Sequence, residues 1–210
     1  MIRVMITDDH AIVRQGLKQI LSETGDIRVT GEAENGIQAV RIVRQEEFDV
    51  MLLDISLPDR NGIEVLKQIR KEKPELVVLM LSMHNENEFA IRALKAGASG
   101  YLNKQSAPAQ LVTAIRQVAS GQKYITPALA MELANAITTD TDRPLHTSLS
   151  DREYQTLCLI AAGKGLTEIS EEMCLSPKTV SVYRARLLEK LKLTNNNELI
   201  RYALLHHLVD

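Results

Sequence analysis

Apolar residues follow two rhythms over the first 121 positions. Short aliphatic and β-branched runs, RVMIT (3–7), IRVTGEA (27–33), VMLLD (50–54), VVLMLS (77–82) and GYL (100–102), alternate with longer stretches whose apolar positions recur every three or four residues. The runs predict strands. The stretches predict amphipathic helices that begin near His10, Asn35, Gly62, Glu86 and Ala107. Such alternation predicts an α/β fold, a five-stranded doubly wound parallel sheet with helices on both faces. VMLLD and VVLMLS are continuously apolar, as strands covered on both sides must be.

The rhythm changes after residue 121. TPALAMELANAI (126–137) opens with Thr126 ahead of Pro127, the layout of a capped helix start. TTDTDRPLHTS (138–148) is polar and aperiodic and is expected to be a flexible linker, so 122–148 forms a helical segment plus linker. From 149 to 210 every apolar pattern is helical. SDRE (150–153) has the order of a capping box before YQTLCLIAAG, and Gly163 supplies its stop. TEISEEMCL predicts a short helix, SPKTVSVYRARLLEKL a longer one capped by Ser176 with Pro177 in its first turn, and NNNELIRYALLHH a last one. Two domains are expected, 1–121 and 149–210, the second all-α.

Composition narrows the function classes. A chain of 210 residues with 45% hydrophobic content suits one or two domains, each able to bury a core. No apolar run approaches the roughly 18 to 20 residues of a membrane span, and the N-terminus lacks a signal-peptide layout. A cytoplasmic protein with no membrane partner is expected. Cys158 and Cys174 lie in apolar helical patterns without metal-ligand spacing, and both are expected to be packed thiols. The net charge of −2 excludes a protein that coats nucleic acid with its whole surface, so any such contact must be local.

In an open parallel sheet the functional crevice lies beyond the carboxyl ends of the strands. Strand one ends in Asp8 and Asp9, strand three in Asp54, strand four in Ser82, and strand five runs through YLNK to Lys104. Each alone is an ordinary strand end, and Asp9 could simply cap the following helix. Their coincidence on one edge is the signal. Carboxylates about 4 Å apart repel by roughly 4 kcal/mol per pair at an effective dielectric of about 20. A hard cation relieves that repulsion, and Mg2+ accepts carboxylates while keeping exchangeable waters. Asp54 could then act as a nucleophile on a phosphoryl group, with Lys104 and Ser82 facing its oxygens. His10 and His84 lie near the same edge without a third nitrogen or sulfur ligand, and are expected to be surface residues.

These positions resemble a response-regulator receiver domain over residues 1–121. The shared motifs are DD after strand one, DISLPDRNG around the third, Ser82 ending the fourth, Tyr101 three residues before Lys104, and ALKAGASGYL (93–102). The resemblance implies a flavodoxin-like fold, Asp54 as phosphoacceptor, and Mg2+ held by Asp8, Asp9, Asp54 and the Ser56 carbonyl. It further implies Ser82 and Tyr101 as a switch pair and a sensor histidine kinase as phosphoryl source. Gln105 follows Lys104 where many receivers carry proline, which leaves the cis or trans state of that peptide open.

Residues 147–210 hold eight Lys or Arg against eight Asp or Glu. Yet Lys178, Arg184, Arg186, Lys190 and Lys192 fall in one stretch whose only acid is Glu189. Two helices across a short turn, the second basic, form a helix-turn-helix layout. Val180, Leu187 and Leu191 take the core spacing; Ser181, Val182 and Ala185 face outward, flanked by Lys178, Tyr183 and Arg186, with the Arg184 stem beside the apolar stripe. LSDRE followed by LSPKTVSVYRARLLEKLKL resembles the LuxR-type output domain of the NarL/FixJ family. That resemblance implies base readout from Ser181, Val182 and Ala185, within a DNA-contacting set of Lys178, Thr179, Ser181, Val182, Tyr183, Arg184, Ala185 and Arg186. With small or apolar reading residues, thymine methyl contacts and DNA shape are expected to carry part of the specificity.

A phosphorylation-dependent, DNA-binding transcription regulator is therefore expected, not an enzyme. Its partners would be a sensor histidine kinase, paired half-sites on double-stranded DNA, and a second copy of itself once phosphorylated. An Asp-nucleophile phosphatase would need an acid two residues after Asp54, where Ser56 stands. A receiver with a protein-binding output is the other alternative.

Overall fold

A computed structural model describes residues 1–83, 87–106, 108–127, 129–131, 144–206, 208 and 209. The chain divides into two compact units, 1–130 and 131–210. In the first, strands β1 (Ile2–Thr7), β2 (Ile27–Ala33), β3 (Val50–Asp54), β4 (Val77–Ser82) and β5 (Gly100–Asn103) form one parallel sheet in the order β2-β1-β3-β4-β5. Each lies within a residue of the bounds predicted. Helices α1 (Ala11–Ser22), α2 (Gly36–Gln45), α3 (Gly62–Glu72), α4 (Asn87–Lys95) and α5 (Pro108–Ala119) connect them. Every residue of β3 is buried, and Val4, Ile6, Val50, Leu52, Leu79 and Leu81 pack with Leu111, Ile115 and Val118 of α5.

The order places β1 and β3 side by side although α1, β2 and α2 separate them in sequence. Connections leave these two strands in opposite directions, which opens a crevice above their carboxyl ends. Side chains then fix where the helices start. Asn35 Oδ1 accepts from Gln38 N at 2.8 Å, and Asn61 Oδ1 accepts from Ile63 N at 2.8 Å. His10 occupies the cap position of α1 without a side-chain cap bond, so Asp9 does not cap this helix. His84, Glu86 and Ala107 lie outside the described residues. Every described peptide bond is trans, that between Lys104 and Gln105 included.

The second unit contains a 3-10 turn (Leu145–Ser148) and helices α6 (Asp151–Ala161), α7 (Leu166–Glu172), α8 (Pro177–Leu191) and α9 (Asn196–Leu205). Leu157, Ile169, Met173, Val180, Leu187, Leu191, Leu199 and Ala203 are buried. The capping box forms as the sequence predicts: Ser150 Oγ accepts from Glu153 N, and Glu153 Oε2 accepts from Ser150 N at 2.8 Å. Gly163 ends the helix at φ +83°.

Two expectations change. The end of the presumed flexible linker is structured: Leu145–Ser148 form the 3-10 turn, and Tyr202 Oη accepts from His146 N at 3.2 Å. Residues 132–143, with the rest of the expected helix and linker, lie outside the described residues. Cys158 is a buried thiol, but Cys174 is exposed. Helix α7 stops at Glu172, and Cys174 turns the chain at φ +50°, away from the apolar stripe that the pattern had continued through it. Among the described residues no helix is long and apolar enough to cross a membrane.

Candidate functional site

Because β1 and β3 are neighbours, Asp8 emerges beside Asp54. Both carboxylates are buried, and the Lys104 ammonium reaches them from the loop after β5, 2.7 Å from Asp8 Oδ2 and 2.7 Å from Asp54 Oδ2. Lys104 N also donates to Ser82 O at 2.7 Å, which ties that loop to the end of β4. Asp8 Oδ1 accepts from His10 N at 2.9 Å. Asp9 is more open and pairs with His10 Nδ1 at 2.7 Å. One donor atom from each of Asp8, Asp9, His10 and Asp54 falls within 4.8 Å of all the others. His10 is thus a surface residue, with its side chain 65% exposed, but its ring leans on the acid cluster.

Burial pushes the Asp54 carboxyl up to about 6; Asp8 adds to the rise, while Lys104 and the Ser56 N–H oppose it. Burial lowers the Lys104 ammonium, but Asp54 and Asp8 outweigh it and hold the group above its ordinary value. Three carboxylates around one ammonium leave excess negative charge on oxygen donors. That chemistry fits a hard divalent cation better than a soft one.

The loop after β3 keeps Asp54 in place. Ser56 and Asn61 bridge across it, and Gly62 N donates to Ile55 O at 2.7 Å. A Cβ on Gly62 would sit 2.0 Å from the Asp54 carbonyl oxygen, so no other residue fits without moving the loop. Ser82 is buried at the end of β4, one residue past Leu81, the residue that pairs with Asp54. Tyr101, on β5 opposite Met80, is turned inward at 8% exposure.

Two further residues had no signal in the sequence. Asp59 accepts from Gly36 N at 2.8 Å and Ile37 N at 2.7 Å, joining the β3–α3 loop to the start of α2. Arg14 is a buried guanidinium on α1 that donates to Asp8 O at 2.7 Å.

In the second unit α7 and α8 form the helix-turn-helix. Val180, Leu187 and Leu191 face the core, and Lys178, Ser181, Val182, Ala185 and Arg186 are exposed. Thr179, Tyr183 and Arg184 are half-buried. Several polar groups are already engaged. Ser181 Oγ donates to Pro177 O at 2.9 Å, the Ser176 and Thr179 hydroxyls lie 2.8 Å apart, and Arg184 Nε donates to Asn196 Oδ1 at 2.5 Å. Lys190 Nζ lies 2.6 Å from Glu153 Oε2 on α6. The basic stretch of the sequence is therefore divided: Lys190 is paired within the fold, while Lys178 and Arg186 face outward.

Comparison with known proteins agrees with both halves. The profile of the response regulator receiver domain matches residues 4–116, and that of bacterial regulatory proteins of the luxR family matches residues 147–203. Response regulator UvrY of Escherichia coli (strain K12) is 40% identical over 211 residues, spanning 100% of this chain and 97% of that protein. Response regulator GacA of Pseudomonas aeruginosa is 37% identical over 212 residues, spanning 100% and 99%. Among solved structures, RcsB from Salmonella enterica serovar Typhimurium, bound to promoter rprA in the presence of phosphomimetic BeF3-, superposes with a TM-score of 0.67 at 27% identity, over 96% of this chain and 97% of that one. With a receiver profile over residues 4–116, a luxR profile over 147–203 and response regulators similar along its whole length, the chain belongs to the NarL/FixJ family of two-component response regulators.

Proposed function

We propose that Asp54 accepts a phosphoryl group and that the charge it gains governs DNA binding by the helix-turn-helix unit. The observation that carries this reading is the Lys104 ammonium held 2.7 Å from two buried carboxylates at a sheet edge. A buried carboxylate with a cation already aimed at it is organised to receive an anionic group. In the transfer, an Asp54 oxygen attacks the phosphorus of a phosphohistidine on a sensor kinase. The P–N bond breaks, its electron pair stays with the imidazole, and the imidazole takes up a proton. Lys104 neutralises the arriving oxygens, and Ser82 offers its hydroxyl to one of them. Asp8, Asp9, Asp54 and the Ser56 carbonyl would hold Mg2+, which when bound supplies charge neutralisation at the phosphoryl oxygens.

The phosphoryl group adds a charge of about −1.5 to −2 to an edge that already holds three acids. Ser82 turning toward it, with inward-packed Tyr101 following, is the proposed switch. It alters the surface of a receiver spanning 1–121 and favours a homodimer. Beyond the segment 122–148, the domain 149–210 of each copy engages one of two half-sites on double-stranded DNA, about one helical turn apart. RcsB was solved on promoter DNA, and the same helix-turn-helix order supports this partner here. Lys178, Thr179, Tyr183, Arg184 and Arg186 meet the phosphate backbone, while Ser181, Val182 and Ala185 face base edges. The chain acts by single labelling of Asp54, not by turnover.

Mobility shifts of wild type and Asp54→Asn, each with and without a small phosphodonor and Mg2+, test the reading. Affinity should rise with phosphodonor in wild type alone. Equal DNA affinity in all four conditions overturns it.

A further inference from the structure

We propose that Arg14 is a positioning residue for Asp8 and Asp9, holding the turn between β1 and α1 in the geometry that presents their carboxylates to a divalent cation; this rests on the phosphoacceptor reading above. In the first turns of a surface helix an arginine is ordinarily solvated, yet Arg14 is only 8% exposed. Burying a guanidinium is costly unless its N–H groups find acceptors. Nη2 donates to Glu34 Oε1 at 2.8 Å, Nε lies 3.7 Å from Glu32 Oε2, and Nη1 donates to the main-chain oxygen of Asp8 at 2.7 Å.

The last bond is the informative one. The Asp8 carbonyl belongs to the peptide that joins Asp8 to Asp9, so holding its oxygen sets the plane of that peptide and the direction in which Asp9 leaves. Asp8 is then pinned at three atoms: its carbonyl by Arg14, Oδ1 by His10 N at 2.9 Å, and Oδ2 by Lys104 at 2.7 Å. A planar fork can serve a carbonyl on one side and two carboxylates on the other. A lysine ammonium, as a single point charge, cannot span them.

A purely structural role would be an ion pair that fastens α1 to β2. Lys18 plays that part separately, 2.7 Å from Glu32 Oε1. Removing Lys18 should loosen this link and leave the acid pair where it is, which makes it the control.

The experiment measures Mg2+ affinity by calorimetric titration of the full chain in wild type, Arg14→Met, Arg14→Lys and Lys18→Met. Urea unfolding and stoichiometric labelling of Asp54 are followed in parallel. Groups that orient metal ligands typically contribute about 10- to 100-fold in affinity. Both Arg14 variants should bind Mg2+ at least about 10-fold more weakly, and excess Mg2+ should restore labelling. Lys18→Met should bind Mg2+ like wild type. Unchanged affinity in a folded Arg14 variant, or an equal loss in Lys18→Met, overturns the role; if Arg14→Met does not fold, Arg14→Lys, which keeps the charge, decides. A wild type that binds no Mg2+ and takes no label overturns the phosphoacceptor reading and this inference together. A wild type that does both beside insensitive Arg14 variants overturns this inference alone.

Discussion

The acid edge of the sheet and the basic helix α8 solve opposite problems. At the edge, the buried carboxylates of Asp8 and Asp54 each pair with the Lys104 ammonium, so the charges are aligned before any ligand arrives. On α8, Lys178 and Arg186 are exposed to solvent, and the Ser181 hydroxyl already donates a hydrogen bond to Pro177 O of its own helix. A site that makes and breaks a covalent bond gains from rigid, desolvated groups. A surface that must leave one DNA sequence for another gains from mobile cations whose contribution is mainly electrostatic. Sequence charge alone does not distinguish the two regimes; burial does.

The comparison breaks most visibly at Asp54. Asp54→Asn should abolish phosphoryl incorporation, read as the loss of the mass increment on the intact protein, while unmodified DNA binding persists. Next comes Gly62→Ala, which forces a Cβ onto the Asp54 carbonyl. It should destabilise the receiver by about 2 to 3 kcal/mol in urea unfolding and impair labelling. A silent Gly62→Ala would mean that the edge is not rigid.

Substitutions on α8 should behave in the opposite way. Lys178→Ala with Arg186→Ala should leave unfolding nearly unchanged, yet lower the slope of log affinity against log salt by about two. Lys190→Ala should do the reverse, costing stability with little change in that slope, because Lys190 serves Glu153. Salt titrations of the three proteins on one DNA fragment separate these outcomes.

The smallest effect is one of pH. Burial pushes the Glu153 carboxyl up, but Lys190 and the Ser150 groups outweigh it and hold it below the ordinary 4.5. A carboxyl with a lowered native pKa stabilises the fold fully above its unfolded value, and that stability is lost as the pH falls through the native value. The thermal stability of the helical unit should therefore fall as the pH drops below 4.5. In Glu153→Gln that part of the acid sensitivity should vanish.

How much of this was readable from residue order depends on how far apart the partners lie. Strands β3 and β4 were readable because burial on both faces demands unbroken apolar runs, the other three because short aliphatic and β-branched runs alternate with helical stretches, and the acid edge because parallel strands bring their carboxyl ends together. Arg14 was not, since its partners Glu32, on β2, and Glu34, just past the end of that strand, lie far from it in sequence and its third acceptor is a main-chain oxygen without a sequence signature. Lys190 counted as one more cation of the basic stretch because its partner Glu153 lies a full helix-turn-helix away in sequence. Cys174 looked packed because the apolar pattern of α7 runs past the point where the helix stops. Composition and periodicity report on neighbours; they are silent about pairs that only the fold makes.

The reversal at Cys174 provides a practical instrument. The chain has two thiols, one buried on α6 and the other exposed in the turn that leads into α8. A maleimide dye added to the native protein should therefore mark the helix-turn-helix at a single place, without engineering. Its emission would report, in real time and from the protein side, each arrival and departure of DNA.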